Sequence, residues 1–511
     1  MNSRWTKWIL TVILIASFGF SAFASNGTQI GTVGARSTAM GSNFRGLADD
    51  WSAFFFNPAG ITQLNKLTIG ISMGLIAPRG SYTPFNLDQL PFSGMGAVTE
   101  GTLLNQKDLV KQNFMVPALG IFYKPTDKLS VGVGVSAPFG LGAKYDLMKI
   151  PDTYGNANAS DLDGNESLSD HQVVNVQAVA AYKLTDKLSV GASAGYIPVG
   201  KMKLNQMVLP SYLKAAPALT NLVAILKGTK VWNPDHERLV VESILDGKGN
   251  AISASLGILF KPSENLSFGL SGKYYSDLEL TGTFKQKTHF PGAPPTYAAG
   301  IKGYFASIKG AQTLDSLTAL GGLALGFGGK TSEENWDAKA ILPLPMTVGG
   351  GVAYKPFPRL TLVADLSLTR WSTWKIINVD LTSTTSTQTK TMDENWKNTL
   401  EYGLGAEFRA LEKEGMKLDL RVGAYTTGSP VPSETLSALL MDPSRRYVLT
   451  GGFGVNLGKI SLDLAGEYVT FSNDYPATKY FYDTTLGQPE NMPGKYLFHA
   501  IVITGGVTIN L

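Results

Sequence analysis

Long stretches of this chain alternate apolar and polar residues one by one. Leu129, Val131, Val133 and Val135 alternate with Ser130, Gly132, Gly134 and Ser136, and Leu266, Phe268 and Leu270 with Ser267, Gly269 and Ser271. Leu360, Leu362, Ala364, Leu366 and Leu368 oppose Thr361, Asp365, Ser367 and Thr369, with Val363 the one exception. A period of two places successive side chains on opposite faces of a strand. The runs follow short polar connections of one recurring form. Tyr123-Lys124-Pro125-Thr126-Asp127-Lys128-Leu129-Ser130 returns as Tyr182-Lys183-Leu184-Thr185-Asp186-Lys187-Leu188-Ser189, at Phe260 to Ser267 and at Tyr354 to Thr361, with looser versions at Arg409 to Met416 and Asn456 to Ile460. Short connections carrying Pro, Asp or Gly between strand-like runs are hairpin turns.

Six such turns join twelve strands, and an opening strand (Leu67 to Leu75, with Ile69, Ile71 and Met73 outward) and a closing strand (Leu497 to Leu511) bring the number to fourteen. Long connections are expected at about 79–112, 144–170, 202–250, 281–340, 375–393, 429–444 and 473–494. A soluble sandwich alternates too, with its apolar face inward. Here the polar face is mostly Ser, Thr, Gly and isolated carboxylates, and short turns alternate with long loops, as in outer-membrane barrels. Residues 65–511 are therefore read as a 14-stranded antiparallel transmembrane β-barrel, an all-β fold.

Composition narrows the field. The 511 residues include 56 glycines, no cysteine and only 16% charged residues, against about 25% in soluble domains. The absence of cysteine excludes a disulfide framework, a thiol nucleophile and Cys-type zinc or iron–sulfur sites. A net charge of +4 is too small for a nucleic-acid footprint. Residues 1–24 read as a signal peptide: Arg4 and Lys7 open it, Trp8 to Phe20 form its apolar centre, and Ala22-Phe23-Ala24 is the cleavage site.

Residues 25–64 do not alternate. They read Gly34-Ala35-Arg36-Ser37-Thr38-Ala39-Met40-Gly41, then Ala48-Asp49-Asp50-Trp51-Ser52-Ala53, then Phe54-Phe55-Phe56-Asn57-Pro58-Ala59-Gly60. This resembles the N-terminal hatch of the FadL-like outer-membrane transporters of long-chain fatty acids and aromatic hydrocarbons. Ser136-Ala137-Pro138-Phe139-Gly140-Leu141 is similar to the kinked third strand of that family. Thr369-Arg370-Trp371-Ser372, Asn395-Trp396-Lys397, Arg421 to Tyr425, Ser429 to Pro432 and Asp442 to Arg445 resemble later motifs. The resemblance implies a small N-terminal hatch over 25–64 that plugs the barrel, with Asn57, Pro58, Ala59 and Gly60 as its motif. It implies a lateral exit at Ala137, Pro138, Phe139 and Gly140, and passive inward passage of hydrophobic small molecules or detergent-like lipids.

The residues carry readings of their own. Asn57-Pro58 either opens a short helix through Leu64, as N-cap and first helical residue, or makes a turn. Phe54, Phe55 and Phe56 either line a ligand pocket or fasten the hatch. Asp49-Asp50, with no further acid or His nearby, is expected to bond hatch to wall rather than to hold a metal. Pro138 lacks an N–H and marks a bulge, an open edge or a strand end. Asp365, Glu401, Glu407, Asp419, Arg421, Asp463 and Glu467 should point into the lumen, where charges pair instead of meeting lipid. Two long loops are unusually apolar. Leu213, Leu219, Leu222, Val223 and Leu226, with Phe305, Leu317 and Leu320, either pack as a lid or form a groove that captures ligand.

His171, His236, His289 and His499 show no metal spacing, and His499 belongs to the lipid-facing set of the last strand. Ala324 to Thr331 nearly fits a phosphate-binding loop but lacks the strand–helix context that the motif needs. No cofactor, metal or catalytic residue is expected. The chain is expected to reside in the outer membrane of a Gram-negative-type bacterium, in contact with its lipid, as a monomer. The alternative is a non-transporting barrel that serves as a secretion or assembly partner.

Overall fold

A computed structural model describes residues 27–31, 33–84, 106–145, 167–208, 240–289, 331–384, 386–436, 444–475, 482–483, 488–489 and 494–511. Fourteen strands form its wall: β1 (Leu67–Pro84), β2 (Phe114–Tyr123), β3 (Leu129–Tyr145), β4 (Ser167–Lys183), β5 (Leu188–Val208), β6 (Val240–Ser263) and β7 (Leu266–Tyr275). They continue as β8 (Thr347–Phe357), β9 (Leu360–Thr369), β10 (Thr399–Lys413), β11 (Met416–Thr427), β12 (Arg446–Leu457), β13 (Ile460–Tyr475) and β14 (Gly494–Asn510). Each pairs antiparallel with the next, and β14 closes on β1 from Thr68↔Asn510 to Pro84↔Gly494. Closure matters because no unpaired backbone group is tolerated against lipid hydrocarbon. The apolar members of each alternating run, such as Ile71, Leu256, Leu366 and Leu449, are exposed on the outside. The predicted barrel is the observed fold.

The expected long connections are too long. β1, β5 and β6 run on to Pro84, to Val208 and from Val240. Four further strands rise above the wall. Leu278–His289 pairs with the outer half of β6 and with Thr331–Leu342, which in turn pairs with Ile376–Thr382, and that with Thr387–Asp393. These stretches fall in the expected long connections because no turn of the recurring form flanks them, although three of them alternate and bury one face, with Leu280 and Phe284, Trp336 and Ala338, and Ile377, Val379 and Leu381 inward.

Residues 27–64 lie among the lumen-facing side chains. Helix α1 (Ala35–Ala39) packs on β12 and β13, helix α2 (Ala53–Phe56) touches β3, and a 3₁₀ turn (Pro58–Gln63) packs on β4, β5 and β6. Met40, Phe44, Leu47, Trp51, Phe54, Phe56 and Ile61 form one buried cluster with Phe122, Val179, Ala353 and Val363 of the wall. Val363 breaks its strand's alternation because it faces this cluster and not water. Wall glycines make the room: a Cβ on Gly191 would stand 2.4 Å from the Ala59 nitrogen, and on Gly423 2.3 Å from the Met40 carbonyl carbon. The chain's high glycine content is thus a packing requirement.

The tightest approach is at Gly269, where a Cβ would lie 1.9 Å from the Arg45 carbonyl oxygen. A Gly269→Val chain should still form a heat-modifiable barrel, while overpacking of about 1–3 kcal/mol loosens the segment. Trypsin should then cut at Arg36 and Arg45 several-fold faster than in the parent. Equal cleavage rates would mean that the wall does not hold the segment at this point.

Candidate functional site

The wall is incomplete between β2 and β3. β1 and β2 pair along Phe114 to Tyr123, but β2 and β3 pair only from Leu119↔Val135 to Tyr123↔Val131. On its other side β3 bulges against β4 between Ser136 and Phe139. Pro138, without an N–H, stands at this break. The upper edge of β3 finds partners elsewhere. The Ile30 N–H donates to the Pro138 carbonyl at 2.9 Å, and the Gly140 N–H to the Thr28 carbonyl at 2.8 Å, around an isolated antiparallel bridge Gln29↔Phe139. Higher up, the Val110 N–H donates to the Lys144 carbonyl at 2.9 Å and the Leu109 N–H to the Gly80 carbonyl at 2.8 Å. Two short segments, 28–30 and 107–110, thus span the opening.

Residues 28–30 also reach across the lumen. The Gln29 amide donates to the Thr347 hydroxyl at 2.8 Å and accepts from the Thr369 hydroxyl at 3.2 Å. Beside them is a cavity of about 50 Å³ lined by Phe55, Phe56, Pro138, Lys273, Tyr275 and Glu401, among others. The Lys273 ammonium stands 3.3 Å from the centre of the Phe55 ring, a cation–π contact. A smaller gap of about 10 Å³ lies between Phe54, Phe55, Lys273 and a polar strip of Asn175, Gln177, Ser253 and Ser255. Above, Phe139 meets Tyr275 at 5.0 Å and Trp371 at 6.5 Å, and Trp371, Trp374 and Trp396 pack together at 4.3–5.5 Å.

The three phenylalanines divide their work. Phe54 is fully buried against Phe122 and fills the space left by Gly134, where a Cβ would stand 2.3 Å from its ring. Phe55 and Phe56 face the cavity. Asn57 takes the N-cap geometry: its side chain accepts from the Ala59 N–H at 3.2 Å, and its amide donates to the carbonyls of Arg45 at 3.1 Å and Ile258 at 3.0 Å. Pro58, Ala59 and Gly60 form the turn that follows, buried throughout.

On the side facing the short turns lies a second, polar cavity of about 280 Å³, lined by Arg36, Asp49, Asp50, Glu407, Arg409, Asp419, Arg421 and Asp463, among others. Arg36 is its centre. Its guanidinium grips Glu407 of β10 through two bonds of 2.7 and 2.8 Å and meets Asp49 at 2.5 Å. Glu407 also accepts from Arg421 at 2.7 Å, and Arg421 reaches Asp463 at 2.6 Å. Asp365 accepts from the Phe44 and Arg45 backbone N–H groups at 3.0 and 2.9 Å. The carboxylates expected to face inward here do so, and they are paired. Asp49 and Asp50 correct one expectation: neither bonds the wall directly. Asp50 accepts from the Ser52 backbone and hydroxyl at 2.8 and 2.6 Å, and Arg36 carries the connection outward.

Lys273, Tyr275 and the three tryptophans were not singled out from the sequence as one site. Lys273 continues the polar face Ser267, Gly269, Ser271, so carrying the alternation one step further finds it. Of the histidines, His171 is buried in β4, and His499 faces outward near Tyr468. Among the described residues no cluster could hold a metal ion. The signal peptide, His236, the loop residues Leu213, Leu219, Leu222, Val223, Leu226, Phe305, Leu317 and Leu320, and nearly all of 324–331 lie outside the described residues.

Residues 14–509 match the family described as outer membrane protein transport protein (OMPP1/FadL/TodX). Outer membrane protein P1 of Haemophilus influenzae is 24% identical over 286 residues, 53% of this chain and 57% of that protein. A putative outer membrane protein of Neisseria meningitidis serogroup B is 31% identical over 144 residues, 27% of this chain and 28% of its own length. The chain thus spans less than two thirds of either relative. Among solved structures, a FadL homologue of Pseudomonas aeruginosa superposes with a TM-score of 0.67 at 15% identity, over 95% of this chain and 99% of that one. The Pseudomonas putida toluene transporter TodX does so at 0.61 and 15%, over 94% and 98%. These structures share the fold.

Asp50 gives the polar cavity a pH dependence. Burial pushes its carboxyl up to about 6, against the pull of Arg36 and the Ser52 hydrogen bonds. A value raised in the docked state means that docking is favoured fully below the ordinary carboxylate pKa of about 4 and loses that contribution as pH rises through about 6. Amide exchange of residues 35–56, corrected for intrinsic rates, should therefore be slower at pH 5 than at pH 7.5. Asp50→Asn should flatten that difference; a difference that persists in the variant assigns it to other groups.

Proposed function

Since the chain belongs to the OMPP1/FadL/TodX family of outer membrane transport proteins, we propose that it is a passive channel for uptake of hydrophobic compounds, long-chain fatty acids or hydrocarbons. Residues 25–64 act as its hatch. Ligand is captured at the apolar loops containing Leu213, Leu219, Leu222, Val223, Leu226, Phe305, Leu317 and Leu320. It passes to the lumen beside Phe55 and Phe56 and leaves laterally at Ala137, Pro138, Phe139 and Gly140.

One observation supports this reading: the upper edge of β3 pairs with residues 28–30 and not with β2. Each backbone group left bare there costs several kcal/mol in hydrocarbon, so a permanent hole is excluded. A cover that ligand displaces satisfies the groups between passages. The cavity behind it holds about 50 Å³, whereas pockets for ligands of this kind are about 300–1,000 Å³. The passage as described is closed and opens by rearrangement. The toluene transporter TodX, which shares the fold, supports a hydrophobic cargo. The family consists of transport proteins, not enzymes. A non-transporting assembly partner would need no opening in β3.

Vesicle uptake tests the route. Pro138→Val supplies the missing donor and a residue that favours strands, and Gly140→Leu fills the gap. Both variants should fold into heat-modifiable barrels yet deliver a fluorescent fatty acid or toluene into the vesicle membrane at least tenfold more slowly. Unchanged delivery by both would remove the lateral route, and no delivery by the parent chain would remove the transport reading. Deleting Ser25 to Leu64 should raise single-channel conductance to small ions in planar bilayers; an unchanged conductance means that these residues are no plug.

A further inference from the structure

One wall strand carries polar side chains into the apolar upper lumen. From the top down, the inward face of β4 reads Ser169, His171, Val173, Asn175 and Gln177, all buried. The lower polar pair is satisfied. The Asn175 amide donates to the Gln177 side chain and accepts from the Ser253 hydroxyl, both at 2.9 Å, and the Gln177 amide donates to the Phe54 carbonyl at 3.1 Å. The upper pair is not. The Ser169 hydroxyl and both ring nitrogens of His171 have no hydrogen-bond partner among the described residues, although the two residues are only 1% and 2% exposed.

Their neighbours on the inner face are apolar. The register sets His171 opposite Met202 of β5, and Ser169 opposite Ala143 of β3 and Leu204 of β5. Met202, Ala143 and Val173 belong to the large buried cluster that includes Phe139 and the three tryptophans, and Leu204 packs against it. Asp170 and Lys201 take the alternate positions of their strands, on the outer face, where they pair with each other at 3.0 Å. His171 stands two residues above Val173, which opposes Phe139 at the break in β3. Two residues are about 6–7 Å of strand, so the imidazole lies just above the opening. Walls that are mostly apolar, with a few placed polar groups, are the make-up of a small-molecule site.

We propose that His171 and Ser169 form a head-group site for amphiphiles whose polar end is uncharged and bears a hydroxyl, as in an alcohol or an un-ionised carboxylic acid. Resting on the passage of ligand proposed above, this site narrows the cargo to molecules with such an end. A neutral imidazole has one donor and one acceptor nitrogen. A ligand hydroxyl donates to the acceptor nitrogen and accepts from the Ser169 O–H; in an un-ionised acid the carbonyl oxygen takes the second role. Buried polar groups without partners cost free energy, which such a ligand returns. A bare hydrocarbon leaves them unpaired. A carboxylate has no proton for the acceptor nitrogen, and it brings a charge among apolar neighbours that include no cation.

Nitrogen NMR of the full chain in detergent micelles tests this, with ring-labelled histidine and the His171 signals assigned by their absence from His171→Phe. Dodecanol should move those signals. After correction for partition into the micelle, it should bind several-fold more tightly than tridecane, which has the same length but no hydroxyl. Dodecanoic acid should resemble dodecanol below its own pKa and weaken toward tridecane as it ionises. His171→Phe should abolish the preference for dodecanol while leaving tridecane binding unchanged. Ser169→Ala should reduce the preference, and His171→Asn, which keeps a donor and an acceptor, should retain part of it. Should His171→Phe give no heat-modifiable barrel, the parent's preference and Ser169→Ala decide. Equal affinity of the parent for dodecanol and tridecane, His171 signals that dodecanol does not move, or tighter binding of dodecanoate than of the un-ionised acid overturns the proposal. A parent chain that delivers toluene into vesicles without this preference overturns the head-group site alone. A parent that delivers nothing yet prefers dodecanol upholds the site and removes the transport reading.

Discussion

Backbone hydrogen bonding in hydrocarbon is the constraint from which this architecture follows. With no water to serve as partner, every strand needs a neighbour on both edges, and the sheet must close. Thirteen of the fourteen junctions achieve this with other wall strands along most of their length; the junction of β2 and β3 does not. There the chain uses its own N-terminal residues as a substitute strand, three residues long. A proline in the middle of a continuous wall strand would be costly. At an edge whose partner arrives from inside the barrel, its missing donor costs little, because only the Pro138 carbonyl is asked to pair.

The interior segment and the wall are fitted to each other by removing atoms from one and adding charge to both. Glycines on the lumen face let backbone approach backbone, as at Gly191, Gly269 and Gly423. Aromatic side chains of the segment then fill what remains. Charges hold the opposite side, where Arg36 joins Asp49 within the segment to Glu407 and, through it, to Arg421 and Asp463. A buried ion pair is weak evidence of net stability, but breaking one leaves an uncompensated charge, typically at a cost of about 3–5 kcal/mol. Such a network therefore enforces position more than it adds stability.

Legibility in the sequence tracks the physical demand placed on each residue. The strand number could be read because hydrocarbon outside and polar contents inside impose a strict alternation, interrupted by turns with their own chemistry. The strands above the membrane, such as Leu278–His289 and Thr331–Leu342, alternate too and bury one face, but no turn of the recurring form announces them. Asn57-Pro58 was legible as a helix start because capping is local, although the turn it opens is 3₁₀. The role of Arg36 was not, since nothing near it in sequence points to Glu407, 371 residues away. Lys273 and Phe55 likewise meet only through the closure of the barrel.

The segment is not held with equal strength along its length, and this decides which part of it a ligand could move. From Arg36 onward it is fixed by the buried aromatic cluster, by Asp365 on two backbone N–H groups and by Arg36 on Glu407. Residues 28–30 are held at the opening by two backbone hydrogen bonds, by the Gln29 side chain and by burial of Ile30 in the core cluster. Bonds of this kind contribute about 0.5–1.5 kcal/mol each, and the whole set amounts to a few kcal/mol. Entry of an apolar molecule offers about 25 cal/mol for each Å² removed from water, so a chain of modest length covers that sum. The lateral route thus asks for displacement of three residues at the end of the segment, not of the segment itself. Gly27, with φ of 56° where an L side chain is strained, stands next to those residues, pressed against Trp371 and Pro430. Its close approach to Trp371 links these residues to the tryptophan cluster of Trp371, Trp374 and Trp396.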